Sequence, residues 1–211
     1  MIIGIIGTGR MARGLAEGWL KAGHTVQLGS RQPGSKAGLS SRLAGVTIGP
    51  VEETLLMAEV VVISIPFAAV KPFARQYALP LRNKLVIDIS NPFANLPDNR
   101  ISGPEITAEA IGAGARVVAA FKANFWETLL EPVDPQTQTR RDVHYVGDHE
   151  PDKAIVAGLI EDLGFRPVDC GPLRNARILD GMVPLIVELD RRYGEGSHRL
   201  SWKLLGDFSV E

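Results

Sequence analysis

The 211-residue chain is 45% hydrophobic and 22% charged, which excludes a disordered polypeptide and provides the core material of about one large domain or one and a half. Lys+Arg 23 against Asp+Glu 24 leaves a formal net charge of -1, so no global field draws nucleic acid or an anionic membrane surface. The single cysteine, Cys170, rules out an internal disulfide framework and a multi-thiolate metal site, and suits a reducing compartment. His24, His144, His149 and His198 are scattered, and the spacing of five between His144 and His149 is not that of a helical zinc pair, so no metal site is expected.

The N-terminal run Met1–Gly7 lacks a basic segment and reaches a glycine turn too soon for a signal peptide, and the apolar stretch Val60–Val70 is broken by Ser64 and Pro66. Both point to a cytoplasmic protein without a membrane span. Short β-branched runs alternate with segments of helical period, which argues for a Rossmann-type α/β fold: a doubly wound, mostly parallel sheet covered by helices. Several strands are apolar at every position, as burial on both faces requires.

In chain order, a strand over Ile2–Ile6 runs into Gly7-Thr8-Gly9-Arg10-Met11-Ala12 and then a helix over Arg10–Lys21 stopped by Gly23. This is the G-x-G-x-x-A form of the dinucleotide fingerprint. Gly7 makes the tight turn, Gly9 lets the backbone approach a pyrophosphate, Ala12 allows close helix–strand packing, and the helix N-terminus offers unpaired N–H groups to the anion.

The second strand, Val26–Gly29, ends in Ser30-Arg31, where an acid would read a free ribose 2′-hydroxyl. Ser30 can instead donate to a 2′-phosphate and Arg31 can pair with it, which favours NADP(H) over NAD(H), and Lys36 either reinforces the phosphate site or begins the next helix. A helix over Ser35–Ala44 and a strand over Val46–Ile48 follow, then a helix over Val51–Ala58.

The fourth strand, Val60–Ile65, ends in Ser64-Ile65-Pro66, and the fifth, Leu85–Ser90, ends in Asn91-Pro92. Both segments should overhang the cofactor, because ligands of open α/β sheets lie off the carboxyl ends of the strands. Between them lies a helix over Phe67–Ala78; the irregular connection Asn91–Arg100 follows, and Ser102-Gly103-Pro104-Glu105 opens a helix over Gly103–Gly112 with a capping box.

The sixth strand, Val117–Phe121, leads into Lys122-Ala123-Asn124-Phe125-Trp126, where Lys122, Asn124, Phe125 and Trp126 are the candidate acceptor-binding side chains, opening a helix over Asn124–Glu131. No Tyr-x-x-x-Lys pair is present and no side chain is assigned a catalytic proton role; a hydride passed to a flavin-like ring needs mainly stacking and alignment. Strands over Val143–Gly147 and Arg166–Cys170 flank a helix over Pro151–Leu163. Cys170, with no nearby His, reads as an inert buried thiol. The last helix, Leu173–Tyr193, carries Pro184, which should kink or split it, and is apolar around most of its circumference, which favours a homodimer.

These motifs carry a resemblance. Gly7-Thr8-Gly9, Gly29-Ser30-Arg31, Ser64-Ile65-Pro66, Asp88-Ile89-Ser90-Asn91-Pro92, Val117-Val118-Ala119-Ala120-Phe121 and Gly171-Pro172-Leu173-Arg174-Asn175-Ala176-Arg177 resemble, in order and spacing, the NADP-dependent oxidoreductases of the deazaflavin coenzyme F420. The cytosolic domain of the STEAP metalloreductases is similar. The resemblance implies NADPH on the Rossmann part, residues 1–121, and a flavin-type co-substrate (F420, FMN or FAD) against the nicotinamide, in a cleft closed by a C-terminal extension, residues 122–211. The chain departs from the family at Lys122–Trp126: the deazaflavin enzymes have His-Thr-Ile-Pro-Ala there, and the STEAP-like domains have Asn at the position of Lys122. Two other functions fit the same first half: a redox-sensing module that binds NADP(H) without turnover, and an imine or pyrroline-carboxylate type reductase, the latter disfavoured because its second domain is all-helical.

Overall fold

The computed structural model describes residues 1–36, 45–92 and 100–206. Eight strands form one sheet in the order β3-β2-β1-β4-β5-β6-β7-β8: β1 Ile2–Ile6, β2 Thr25–Ser30, β3 Thr47–Pro50, β4 Val60–Ile63, β5 Leu85–Asp88, β6 Arg116–Ala119, β7 Asp142–Gly147 and β8 Arg166–Asp169. The first six are parallel, in the 3-2-1-4-5-6 order of dinucleotide-binding folds. β7 lies antiparallel to β6, and β8 is parallel to β7. Doubly wound α/β architecture with a mostly parallel sheet is therefore observed.

Seven helices lie among the described residues: α1 Arg10–Lys21, α2 Val51–Met57, α3 Phe67–Gln76, α4 Ala78–Leu81, α5 Gly103–Ile111, α6 Glu150–Asp162 and α7 Ala176–Tyr193. On α1, Ala12, Leu15, Ala16 and Trp19 follow the i, i+3, i+4, i+7 stripe and are all buried. They join α6 over one face of the sheet, where Trp19 Nε1 donates to the Leu159 carbonyl at 2.8 Å. The other face packs side chains of α2, α3, α5 and α7, among them Leu55, Phe73, Ile111 and Leu179. Because strand side chains alternate, Val60 and Val62 enter the first core and Val61 and Ile63 the second.

Several expectations need correction. The helix expected over Asn124–Glu131 is a single 3-10 turn, Trp126–Thr128. Asn124 Nδ2 is drawn to the Asp142 carbonyl of β7 at 3.0 Å and Thr128 Oγ1 to the Phe125 carbonyl within the turn at 3.0 Å, one tertiary and one local bond that compete with helix formation. The helix expected over Phe67–Ala78 ends at Gln76 and is followed by the separate turn Ala78–Leu81.

The last helix begins as a 3-10 turn, Leu173–Asn175, because Asp148 Oδ1 takes the Leu173 N–H at 2.8 Å and Asn175 Nδ2 turns back to the Cys170 carbonyl at 2.6 Å. Pro184 does not split it: α7 continues through the proline, held on either side by buried Asp180, Val183 and Ile186. Nor is α7 covered all round, since Ile178 is 67% and Leu185 49% exposed. In the region expected as a helix over Ser35–Ala44, only the 3-10 turn Pro33–Lys36 is described, and residues 37–44 lie outside the described residues, as do 93–99 of the Asn91–Arg100 connection.

No helix is long and apolar enough to cross a membrane, and no cluster of metal-ligating side chains occurs, both among the described residues.

Candidate functional site

Strands β4, β5 and β6 stop two residues before their expected ends, at Ile63, Asp88 and Ala119. The residues released from the ladder line a cleft of about 910 Å³ at the carboxyl edge of the sheet. Ligands of such sheets bind there, beside the reversal of strand order between β1 and β4.

The two fingerprint glycines are required for different reasons. Gly7 has φ +124°, and a Cβ on it would lie 2.2 Å from the Ser64 carbonyl oxygen, so the fold itself demands glycine. Gly9 has φ −71° and ψ −177°, open to any residue, and a Cβ there would meet no atom within 4 Å. Its bare backbone keeps a space free at the N-terminus of α1, where no side chain caps the helix and the first turn holds no acid. Unpaired N–H groups and the helix dipole make that space favourable to an anion, and it fits a dinucleotide pyrophosphate.

At the end of β2, Ser30 Oγ accepts the Gln32 N–H at 3.1 Å, which leaves its own proton free to donate, and exposed Arg31 follows. Lys36 closes the 3-10 turn beyond. No carboxylate stands between Gly29 and Lys36. Gly7, Thr8, Ser30 and Arg31 lie beyond the lining of the cleft, while Gly9, Arg10 and Met11 open it.

Ser64, Ile65 and Pro66 form one wall and Asn91 and Pro92 the next. Asn91 Nδ2 donates to the Lys122 carbonyl at 2.9 Å, and its Oδ1 is buried with no partner among the described residues. An acceptor left in that state costs about 1–3 kcal/mol, which an incoming amide N–H would recover. Together with Gly9, this orphaned oxygen makes the cleft fit a nicotinamide dinucleotide.

The far wall holds the four expected acceptor residues. Lys122 is buried, with Nζ 2.7 Å from Asp180 Oδ1 and donating to the Ser90 carbonyl. Asp180 Oδ2 in turn accepts the Gly103 N–H of α5 at 2.9 Å. Trp126 is 41% exposed at the mouth, and Arg10 stands over its ring with Cζ 5.1 Å from the centroid. Phe125 is half-buried against the His198 ring at 5.1 Å, and Asn124, also on the lining, has its Nδ2 engaged with the Asp142 carbonyl of β7.

Sequence reasoning missed the contribution of α7. Asp180, Val183 and Val187 share one helical face on the cleft, and an acid on such an apolar stripe was the available signal. The capping box is present, with Ser102 N–H donating to Glu105 Oε2 at 2.8 Å and Arg177 closing on the same carboxylate at 2.6 and 2.8 Å. The Arg177 guanidinium and the Ser102 bonds outweigh partial burial and hold the Glu105 pKa at about 2. Cys170 is half-buried, and burial pushes its thiol up, away from reactivity.

Comparison with known proteins agrees with this geometry. Residues 2–92 match the family described as NADP oxidoreductase, coenzyme F420-dependent. The F420-dependent NADP reductase of Methanothermobacter thermautotrophicus is 30% identical over 91% of this chain and 90% of its own length. Metalloreductase STEAP3 of Rattus norvegicus is 32% identical over 87% of this chain, which spans 36% of that protein. A structure from Arthrobacter sp. FB24, provisionally assigned as an F420-dependent NADP reductase, superposes with a TM-score of 0.86 at 23% identity, covering 97% of this chain and 99% of the other, which shows the shared fold. The fold, the carboxyl-edge cleft and the relationship over nearly the whole chain agree: the protein is an oxidoreductase belonging to the coenzyme F420-dependent NADP oxidoreductase family.

Proposed function

We propose that the protein transfers hydride between NADP(H) and a flavin-type acceptor, coenzyme F420 or free FMN or FAD. The observation that carries this is the continuity of the cleft: one cavity of about 910 Å³ is lined both by Gly9 at the helix N-terminus and by the Lys122–Trp126 segment. The bound nucleotide supplies the hydride, and the chain supplies position and electrostatics.

Gly9 and the N-terminus of α1 hold the pyrophosphate, with Thr8, Arg10 and Met11 beside it. Ser30, Arg31 and Lys36 select the 2′-phosphate. Ser64, Ile65 and Pro66 bound one side of the nucleotide, and Asn91 Oδ1 with Pro92 receives the carboxamide end. Lys122, Asn124, Phe125 and Trp126 belong to the acceptor side, residues 1–121 forming the nucleotide half and 122–211 the extension that closes the cleft. We place the enzyme in the cytoplasm as a homodimer, joined through the exposed apolar face of α7 around Ile178 and Leu185.

Titration with NADPH and NADH, read from tryptophan fluorescence, tests the nucleotide half: tight NADPH and weak NADH binding supports it, and equal affinities contradict the roles of Ser30 and Arg31. Sensing without turnover has one observation in its favour, the Arg10–Trp126 contact across the mouth.

A further inference from the structure

Lys122 is placed in the cleft by an unusual piece of backbone. Phe121, close after β6, adopts φ +55° although it is a bulky non-glycine residue, a strained conformation that the surrounding packing must hold. Its ring is fully buried and packs edge-to-face on Trp19 at 6.2 Å, which holds the turn in place. The turn carries Lys122 across to the end of β5, where Nζ donates to the Ser90 carbonyl and meets Asp180.

Both side chains of the pair are 1% exposed, in a lining to which Ile65, Ile89 and Val183 contribute apolar groups. A buried ion pair of this kind adds little stability over an apolar replacement of equal volume, so packing alone does not account for it. One ammonium N–H is donated to the Ser90 carbonyl, and Asp180 Oδ1 faces Nζ as an ion-pair partner while accepting no hydrogen bond among the described residues, so the ammonium keeps N–H capacity to spare. The other titratable groups around the pair are engaged. Asp88 receives the Ser90 N–H and O–H on one oxygen and the Thr107 O–H on the other, and Glu105 is held by Ser102 and Arg177.

We propose that Lys122 is the acid of the acceptor site, donating an Nζ proton to the ring edge of the acceptor that gains charge when hydride arrives, with Asp180 as its positioning partner. The proposal rests on the hydride-transfer function above. In the step, the C–H bond of the reduced nicotinamide breaks and hydride bonds to the central ring of the acceptor, moving an electron pair onto the acceptor's N1–C2 carbonyl edge. The Nζ–H bond of Lys122 breaks as N1–H forms, and the neutral amine regains a proton from water once the products leave. The sum is NADPH plus acceptor plus one proton giving NADP+ and reduced acceptor.

The test mixes the purified full chain with NADPH and F420, or FMN, for a single turnover in H2O and D2O, across about pH 5–9. It compares the wild type with Lys122→Arg, which keeps the charge but holds its proton, and with the double variant Lys122→Gln/Asp180→Asn, which keeps hydrogen bonding without charge. Two readouts are independent of turnover: the NADPH dissociation constant, and the absorption spectrum of reduced acceptor bound without nucleotide, which distinguishes the N1-protonated from the anionic ring. Expected are a rate loss of about 100-fold in both variants, unchanged NADPH affinity, loss of the D2O slowing, and an anionic bound ring where the wild type holds a neutral one.

Wild-type rates and spectra in Lys122→Arg would overturn the proton donor while leaving the hydride-transfer function standing. If the double variant fails to fold, Lys122→Arg and the wild type decide, and absence of any D2O slowing in the wild type overturns the proposal. Wild type that binds NADPH but reduces no acceptor overturns the hydride-transfer function and the proposal with it.

Discussion

Gly7 and the Ser64 carbonyl approach so closely that a Cβ on the glycine would sit 2.2 Å from the oxygen, at a φ of +124°. Gly9, two residues on, has no neighbour within 4 Å of the same construction. Gly7→Ala should therefore lose more than about 3 kcal/mol of stability and fail largely in folding. Gly9→Ala should change stability by less than about 1 kcal/mol, the scale of an N-cap substitution, yet weaken NADPH strongly by filling the pyrophosphate space. Thermal melts and NADPH titration of the two variants check the contrast.

Arg31 stands exposed beyond Ser30 at the carboxyl end of β2, and no carboxylate lies between Gly29 and Lys36 in the sequence. Arg31→Ala should raise the NADPH dissociation constant by about 10- to 100-fold, the loss of one charge-assisted contact, with little change for NADH. Equal losses for both nucleotides would contradict the assignment.

Trp126 meets solvent on one side and Arg10 on the other. If it is the platform for the acceptor ring, Trp126→Ala should raise the acceptor KM by about 2- to 10-fold, as loss of an aromatic pair does, with NADPH affinity retained. Steady-state kinetics with the acceptor varied at saturating NADPH measures this.

Glu105 joins the capping box of α5 to Arg177 at the start of α7, and its pKa of about 2 lies below the ordinary 4.5. A carboxyl depressed on folding contributes stability that is fully present above the unfolded value and is lost as pH falls through the folded one. Unfolding free energies from urea titrations should therefore fall between about pH 4.5 and 2, by on the order of 2–3 kcal/mol from this group. Glu105→Gln should lower stability at pH 7 and flatten that acid limb.

Local signals were legible where chemistry and periodicity coincide. The bounds of β1 and α1 agree with the expectation residue for residue, since a fully apolar run, two glycines and an i, i+3, i+4 stripe leave little choice. The strand ends were overextended at Ile65, Ser90 and Phe121 because apolarity continues past the ladder into the cleft lining. Asn124–Glu131 lost its helix to side-chain bonds with β7 and within the turn, which composition does not encode. The pairing of Lys122 with Asp180 joins the end of β6 to α7 across the cleft, and only the tertiary fold brings them together.

The central claim is hydride transfer within one continuous cleft, and the most direct measurement is oxidation of NADPH by the purified chain, followed at its absorbance, with F420, FMN and FAD offered in turn and NADH as control. The account predicts turnover with a flavin-type acceptor and a clear preference for NADPH. Tight NADPH binding with no oxidation by any of the three acceptors would contradict it.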